Sequence, residues 1–163
     1  MNQFNSAALK SDGFVGFVSV ETLRAAACAQ IPELIGVYVV IRPSIKRPKF
    51  LAEGPPLKRK GKELPSFTNE QLSARWIDAI DVIYIGMAGE EGVNDSTLRS
   101  RIRQFVAEPP ASHRGGRAIW QIEDSKDLLF AWKIVSAPAA VETKMLADFR
   151  VLYGRLPFAN EKH

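Results

Sequence analysis

Cysteine is nearly missing from this chain: among 163 residues there is one, Cys28. A single cysteine excludes a disulfide framework, or a cysteine-built metal cluster, formed within the chain. Cys28 stands among alanines with no histidine near it, and reads as a small buried residue rather than a reactive thiol. Long apolar runs are missing as well, since none reaches the ~18 residues that a membrane-spanning helix needs. The opening Met-Asn-Gln-Phe-Asn-Ser has no basic segment leading into an apolar one. The expectation is therefore a cytoplasmic chain with no export signal and no membrane partner.

The composition is that of a single globular domain, 46% hydrophobic and 25% charged, with a net charge of +4 and a pI near 9.3. An excess of that size matters through its distribution. Between Arg42 and Lys62 stand Arg42, Lys46, Arg47, Lys49, Lys58, Arg59, Lys60 and Lys62, opposed only by Glu53 and Glu63. Residues 43–68 also hold Pro43, Pro48, Pro55, Pro56 and Pro65, half of the 10 prolines. With no periodicity, this segment reads as a long surface loop. It is either a solvated linker or a flap that follows a phosphate backbone, with Lys58, Arg59 and Lys60 as its contacts.

Two short runs of β-branched residues organise the rest: Ile35 to Arg42, and Val82 to Met87. Each is a strand by composition, and each carries one Tyr beside one Gly. By the two-residue alternation of a strand, Tyr38 and Tyr84 can rise from the same side of a sheet. The glycines leave room for a close approach to the backbone.

Residues 1–18 are mixed in character and expected to be partly loose. Ser19 caps a helix over 20–30, which Pro32 ends. Thr68-Asn69-Glu70-Gln71 is a capping box that opens a helix over 69–79, with Leu72, Trp76 and Ile80 on one face. The Gly-rich turn 87–92 is too acidic and wrongly spaced for a phosphate-binding P-loop. Asp95 or Ser96 caps a helix over 97–107 whose apolar stripe is Leu98, Ile102 and Phe105. Arg99 and Arg103 point away from that stripe, as phosphate contacts or plain surface, whereas Arg101 lies at its edge. The loop 112–117 is basic and carries His113, Arg114 and Arg117. Residues 118–123 read equally as helix or strand. Leu128–Val135 is a third strand, apolar on both faces and so central. The last helix runs from Pro138 to Tyr153, stopped by Gly154, with Val141, Met145, Phe149 and Leu152 buried. Glu142 falls inside that apolar arc. A carboxylate there is paired, bound to a metal, or placed to suit the helix dipole.

In their order, these pieces resemble the GIY-YIG nuclease superfamily. Gly36-Val37-Tyr38 stands for the first half of its signature, with Val in place of Ile, and Tyr84-Ile85-Gly86 for the second. Leu98-Arg99-Ser100-Arg101 is similar to the family's apolar-x-x-Arg helix, with Arg101 in register. Glu142 stands where the family places a metal ligand, and Asn160, in Leu156-Pro157-Phe158-Ala159-Asn160, where it places an asparagine. The resemblance covers roughly 35–160 and departs most in the about forty residues between the signature strands, where the family has a short hairpin.

The resemblance implies an α+β fold: a small, three-stranded, mostly antiparallel sheet flanked by helices. The chain is then one domain, 1–163, with an N-terminal extension at 1–34 and an insertion at 43–80. It implies a Mg²⁺- or Mn²⁺-dependent endonuclease acting on nucleic acid, DNA being the first expectation, with the metal on Glu142. Arg101 would hold the phosphate, Tyr38 and Tyr84 the attacking water, and Asn160 would orient the group. His113 is a further candidate for acid–base work or a phosphate contact. Two alternatives remain: a nucleic-acid-binding module of this fold without cleavage, and a protein-interaction domain docking through 43–68.

Overall fold

The computed structural model describes residues 3–108 and 116–161. Along the chain the elements are α1 (Ser6–Ser11), β1 (Val15–Ser19), α2 (Val20–Ala25), β2 (Gly36–Ile41), β3 (Leu57–Arg59), β4 (Lys62–Leu64), α3 (Asn69–Arg75), β5 (Val82–Ala88), α4 (Leu98–Val106), α5 (Gly116–Ile119), a 3-10 turn (Ser125–Asp127), β6 (Leu129–Ile134) and α6 (Pro138–Tyr153). The class is α+β. Among the described residues no helix is long and apolar enough to cross a membrane.

The main sheet has four antiparallel strands in the order β1-β6-β2-β5, one more than the three expected. The extra strand, β1, comes from the segment expected to be loose. It pairs with β6 through a bulge, where Phe17 takes a positive φ of 58°. A bulge on an outer strand discourages further pairing along that edge. The two signature strands are neighbours, with Tyr38 opposite Gly86 and Val40 opposite Tyr84. The third expected strand is indeed central, lying between β1 and β2.

Strand alternation sorts β2 into two cores. Tyr38 and Val40 join one with Leu98, Ile102, Phe105, Phe130 and Phe158. Val37, Val39 and Ile41 join the other with Met145, Leu146 and Phe149. Helix α4 therefore covers one face and α6 the other.

Several boundaries differ from the expected ones for visible reasons. Helix α2 stops at Ala25, not 30, because Ala27 and Cys28 turn left-handed (φ 49° and 59°) and bury Cys28 and Ile31. Helix α3 stops at Arg75, not 79, where Trp76 becomes extended. Thr97 caps α4, not Asp95 or Ser96; the Ser96 hydroxyl instead accepts from the Gly89 N–H at 3.0 Å. On α6, Leu152 is exposed and Leu146 takes its place in the core. Residues 116–119 are helical, where 118–123 was ambiguous.

The segment 43–68 is not an unstructured loop. Its middle is a β3–β4 hairpin, turned at Lys60 and Gly61, both with positive φ (49° and 75°) as a tight two-residue hairpin turn requires. Its base is fastened to the chain after α5 by a backbone bridge between Phe50 and Ile122, with the Leu51 N–H donating to the Gln121 carbonyl at 2.7 Å, and by one buried amide. Gln121 donates to the Leu51 and Phe67 carbonyls (3.1 and 2.9 Å), and its Oε1 accepts from the Phe67 N–H at 2.8 Å. Arg42, counted from the sequence among the basic residues of the flap, is buried. It donates twice to Asp124, at 3.2 and 3.0 Å, and also to the Ser44 and Lys46 carbonyls. It is a structural pin and no part of an exposed basic surface.

Replacing Gln121 by Leu orphans three backbone groups at this junction. The expected loss is about 2–3 kcal/mol, from groups left without partners. Trypsin should also cut faster at the lysines and arginines between Lys46 and Lys62. An unchanged melting temperature and digestion rate would place the anchor elsewhere.

Candidate active site

Tyr38 points from the middle of β2 into the α4-side core and is fully buried. Its ring stacks on Phe130 (centroids 6.2 Å apart), meets Phe105 edge-on (6.4 Å) and lies 6.0 Å from Tyr84. The ring also crosses the bare backbone of Gly86 on the neighbouring strand. A Cβ at Gly86 would lie 2.7 Å from Tyr38 Cζ, 2.8 Å from its hydroxyl and 2.7 Å from Tyr84 Cε1. That is why this position is glycine: the close approach expected there is made by the two tyrosines. Gly36 is bare for a different reason, since its Cβ would lie 2.3 Å from the Lys133 carbonyl oxygen and 2.8 Å from Leu98 Cδ1.

Tyr84, on edge strand β5, is half-buried, as are Arg101 on α4 and Glu142 on α6. On α6, at ~100° per residue, Glu142 projects between Met145 and Phe149 on one side and Leu146 on the other. The rotation that exposes Leu152 thus leaves Glu142 within the buried arc. Burial pushes its carboxyl up to about 7, a rise that Arg101 only partly offsets. Burial likewise pushes Tyr38 up to about 12, against the lowering effect of Arg101 and a contact with Tyr84. Tyr84 is raised well above 10, first by burial and then by Tyr38 and Glu142. Four side chains from β2, β5, α4 and α6 therefore sense one another's charge. Tyr38 and Tyr84 belong to the α4-side core while the body of α6 covers the other face, so the cluster is assembled from both sides of the sheet.

Asn160 is also buried. Its amide accepts from the Ile85 N–H (3.0 Å) and donates to the Ile85 carbonyl (2.8 Å), while the Ala159 N–H donates to the Ile83 carbonyl. The tail thereby satisfies the outer edge of β5 at the residue after Tyr84. Asn160 positions this strand; its amide is already engaged with backbone.

The expected nucleic-acid contacts divide. Lys58, Arg59 and Lys60 are exposed on the hairpin. Arg99 is drawn inward, donating to the Ile31 and Ala29 carbonyls (2.7 and 3.1 Å) and pairing with Glu33 at 3.3 Å. It pins the loop before β2 and is not an open phosphate contact. Arg117 stacks on Phe67 (4.1 Å to the ring centre) and faces Glu161 at 3.9 Å, so it too is engaged. Arg103 is exposed beside Cys28. His113 and Arg114 lie outside the described residues.

The donor set bears on whether a cation suits this site. Glu142 is a desolvated carboxylate, and the buried Tyr38 hydroxyl has no well-formed hydrogen bond among the described residues. No group of three or more His, Cys, Asp or Glu able to enclose an ion occurs among the described residues. One carboxylate beside phenols fits a hard divalent ion that keeps most of its waters, and does not fit a fully protein-enclosed one. Compared with protein-family models, curated proteins and solved structures, the chain matches none of them.

Two outcomes follow from this geometry. Gly86→Ala should force the tyrosine rings apart, at about 1–3 kcal/mol, and alter the near-ultraviolet circular dichroism. A variant as stable as the parent with an unchanged spectrum would refute the packing argument. The second concerns pH. The folded state holds the Glu142 proton more tightly than the unfolded chain, about 7 against 4.5. The folded state is therefore favoured fully below pH 4.5, and that advantage is lost as pH rises through 7. The loss is on the order of 1–3 kcal/mol, given that the side chain is only half-buried. In urea unfolding without divalent ions, Glu142→Gln should lose less stability than the parent between pH 5 and 8. Parallel pH profiles would rule this out.

Proposed function

We propose that the chain is a metal-dependent endonuclease of the GIY-YIG type, hydrolysing phosphodiester bonds in nucleic acid. The observation that carries this reading is the convergence of Tyr38, Tyr84, Arg101 and Glu142, from four separate elements, into one electrostatically coupled group. The topology supports it. A GVY strand pairs antiparallel with a YIG strand, the third strand lies beside the first, the arginine helix follows YIG, and the glutamate helix follows the third strand. On this reading β1 and the hairpin are additions to a GIY-YIG core.

In this role Glu142 holds a divalent cation such as Mg²⁺ or Mn²⁺, which supplies positive charge for the phosphate oxygens and water of lowered pKa. Arg101 binds the scissile phosphate and steadies the charge that builds on it. Tyr84, half-exposed, orients the attacking water by a hydrogen bond. Tyr38 is fully buried and supports Tyr84 from behind, a division of roles that the sequence left open. Burial keeps both phenols protonated at neutral pH, so neither serves as a general base in the protein alone. The hairpin residues Lys58, Arg59 and Lys60 follow the backbone of the substrate, with DNA as the first candidate.

The test is incubation with supercoiled, linear and branched DNA and RNA in Mg²⁺, Mn²⁺ or EDTA. Cleavage should require the metal. Glu142→Gln should abolish it yet keep binding, because it removes a charge that the cation needs and the phosphate repels. Arg101→Ala should lower cleavage about 10²–10³-fold and weaken binding as well. Tyr84→Phe should cost more than Tyr38→Phe. If the parent cuts nothing with any metal but binds nucleic acid, the protein is a binding module and the nuclease reading is wrong.

A further inference from the structure

Beyond the tyrosine cluster, the end of α6 and the tail form a cleft of about 440 Å³. Three arginines from three segments line it: Arg75 at the end of α3, Arg150 in the last turn of α6, and Arg155 in the tail. Acidic side chains are absent from its lining among the described residues. Such convergence has a cost, since like charges repel and Arg75 is half-buried.

The protein does little to offset that charge. Arg155 donates to the Ala74 carbonyl at 2.7 Å and Arg75 to the Asn160 carbonyl at 3.3 Å, both neutral acceptors. Glu161 lies within Coulombic reach of Arg75, but the ion pair it makes, at 3.9 Å, is with Arg117. Among the described residues no carboxylate forms an ion pair with Arg75, Arg150 or Arg155. A guanidinium has five N–H donors in a planar fork suited to phosphate. Arg150 alone could be read as a cation suiting the C-terminal end of a helix dipole. Arg75 is held by the Phe67 ring, 4.8 Å from its guanidinium, as well as by the Asn160 carbonyl; Arg155 has neither explanation.

The cleft is tied to the candidate active site through two rigid connections. Asn160, whose backbone carbonyl receives Arg75, also holds the edge of β5 beside Tyr84 through its side chain. Helix α6 carries both Glu142 and Arg150, roughly 12 Å apart along its axis at ~1.5 Å per residue. On a duplex whose axis lies along α6, at ~3.4 Å of axis per nucleotide of one strand, that distance corresponds to about three to four phosphates.

We propose that the Arg75–Arg150–Arg155 cleft is a phosphate subsite that holds the backbone of a nucleic-acid strand three to four nucleotides from the bond at Arg101 and Glu142. This rests on the nuclease reading, and adds to it which side of the molecule the strand leaves by. The strand runs along α6 toward the tail, so productive substrates extend at least that far on one side of the cut.

The test uses the full chain carrying Glu142→Gln, so that binding is read without cleavage, with and without Arg150→Gln and Arg155→Gln together. Both arginines are exposed, so melting temperature should not change. Binding of a duplex oligonucleotide is measured across a salt series. Removing two phosphate contacts should flatten the slope of log affinity against log salt by about one to two and weaken binding about tenfold at low salt. In the cleaving parent, KM should fall as one arm is lengthened past three nucleotides, and the double arginine substitution should erase that dependence. A strand that binds both proteins with equal affinity and slope would overturn the subsite and leave the nuclease reading standing. No strand binding by either protein would overturn both. Protection of the parent by inorganic phosphate alone, with no strand binding, would reassign the cleft to a free anion and also overturn the proposal.

Discussion

The tyrosine ring laid across a glycine backbone is the contact on which the rest of this structure depends. Tyr38 opposite Gly86 fixes how β2 and β5 face each other, because no side chain can stand at Gly86 while the ring occupies that space. The same ring touches Phe130 on the central strand and Phe105 on α4. One phenol thus sets the sheet register, the seat of α4 and, through α4, the place of Arg101. A one-residue slip between β2 and β5 would turn Tyr38 and Tyr84 to opposite faces and dissolve the cluster. Packing and candidate chemistry are the same contact seen twice.

Burial then decides the electrostatics. Arg101 favours the charged form of every acid near it, yet both tyrosines and Glu142 are shifted toward the neutral form, because desolvation outweighs one partly exposed cation. The cluster therefore disfavours ionisation of one carboxylate and two phenols at once.

Much of this was legible because strand alternation and helical periodicity are strong local signals. Tyr38 and Tyr84 were expected on one face, and Leu98, Ile102 and Phe105 in one stripe, and the structure places them so. Helix α6 spans the expected residues, from Pro138 to Tyr153 before Gly154. What escaped was fixed by distant contacts. Strand β1 exists because β6 offers it an open edge, which its own bulged, Gly-containing sequence does not announce. The hairpin inside 43–68 has three-residue strands and a Lys60-Gly61 turn, too short for periodicity to register. Gln121 lies in the stretch 118–123 that read equally as helix or strand, and its partners, Leu51 and Phe67, are brought to it from far back in the chain.

The arginines were the least legible residues, since charge in a sequence says nothing of burial. Arg42 looked like part of a flap and is a buried pin on Asp124. Arg99 was expected as a phosphate contact or plain surface, and it ties the loop before β2. Arg75, Arg150 and Arg155 are scattered along the chain and unremarked in it, yet they meet in one cleft. The distinguishing property is what each fork already binds. Arg42 and Arg99 have a carboxylate and backbone carbonyls, so binding a phosphate would mean breaking those contacts. Arg155 has one backbone carbonyl, and Arg75 has one carbonyl and the Phe67 ring; among the described residues neither is in an ion pair with a carboxylate. Basic composition therefore describes this protein poorly. Arg42 and Arg99 are cations that the fold has used to hold itself together.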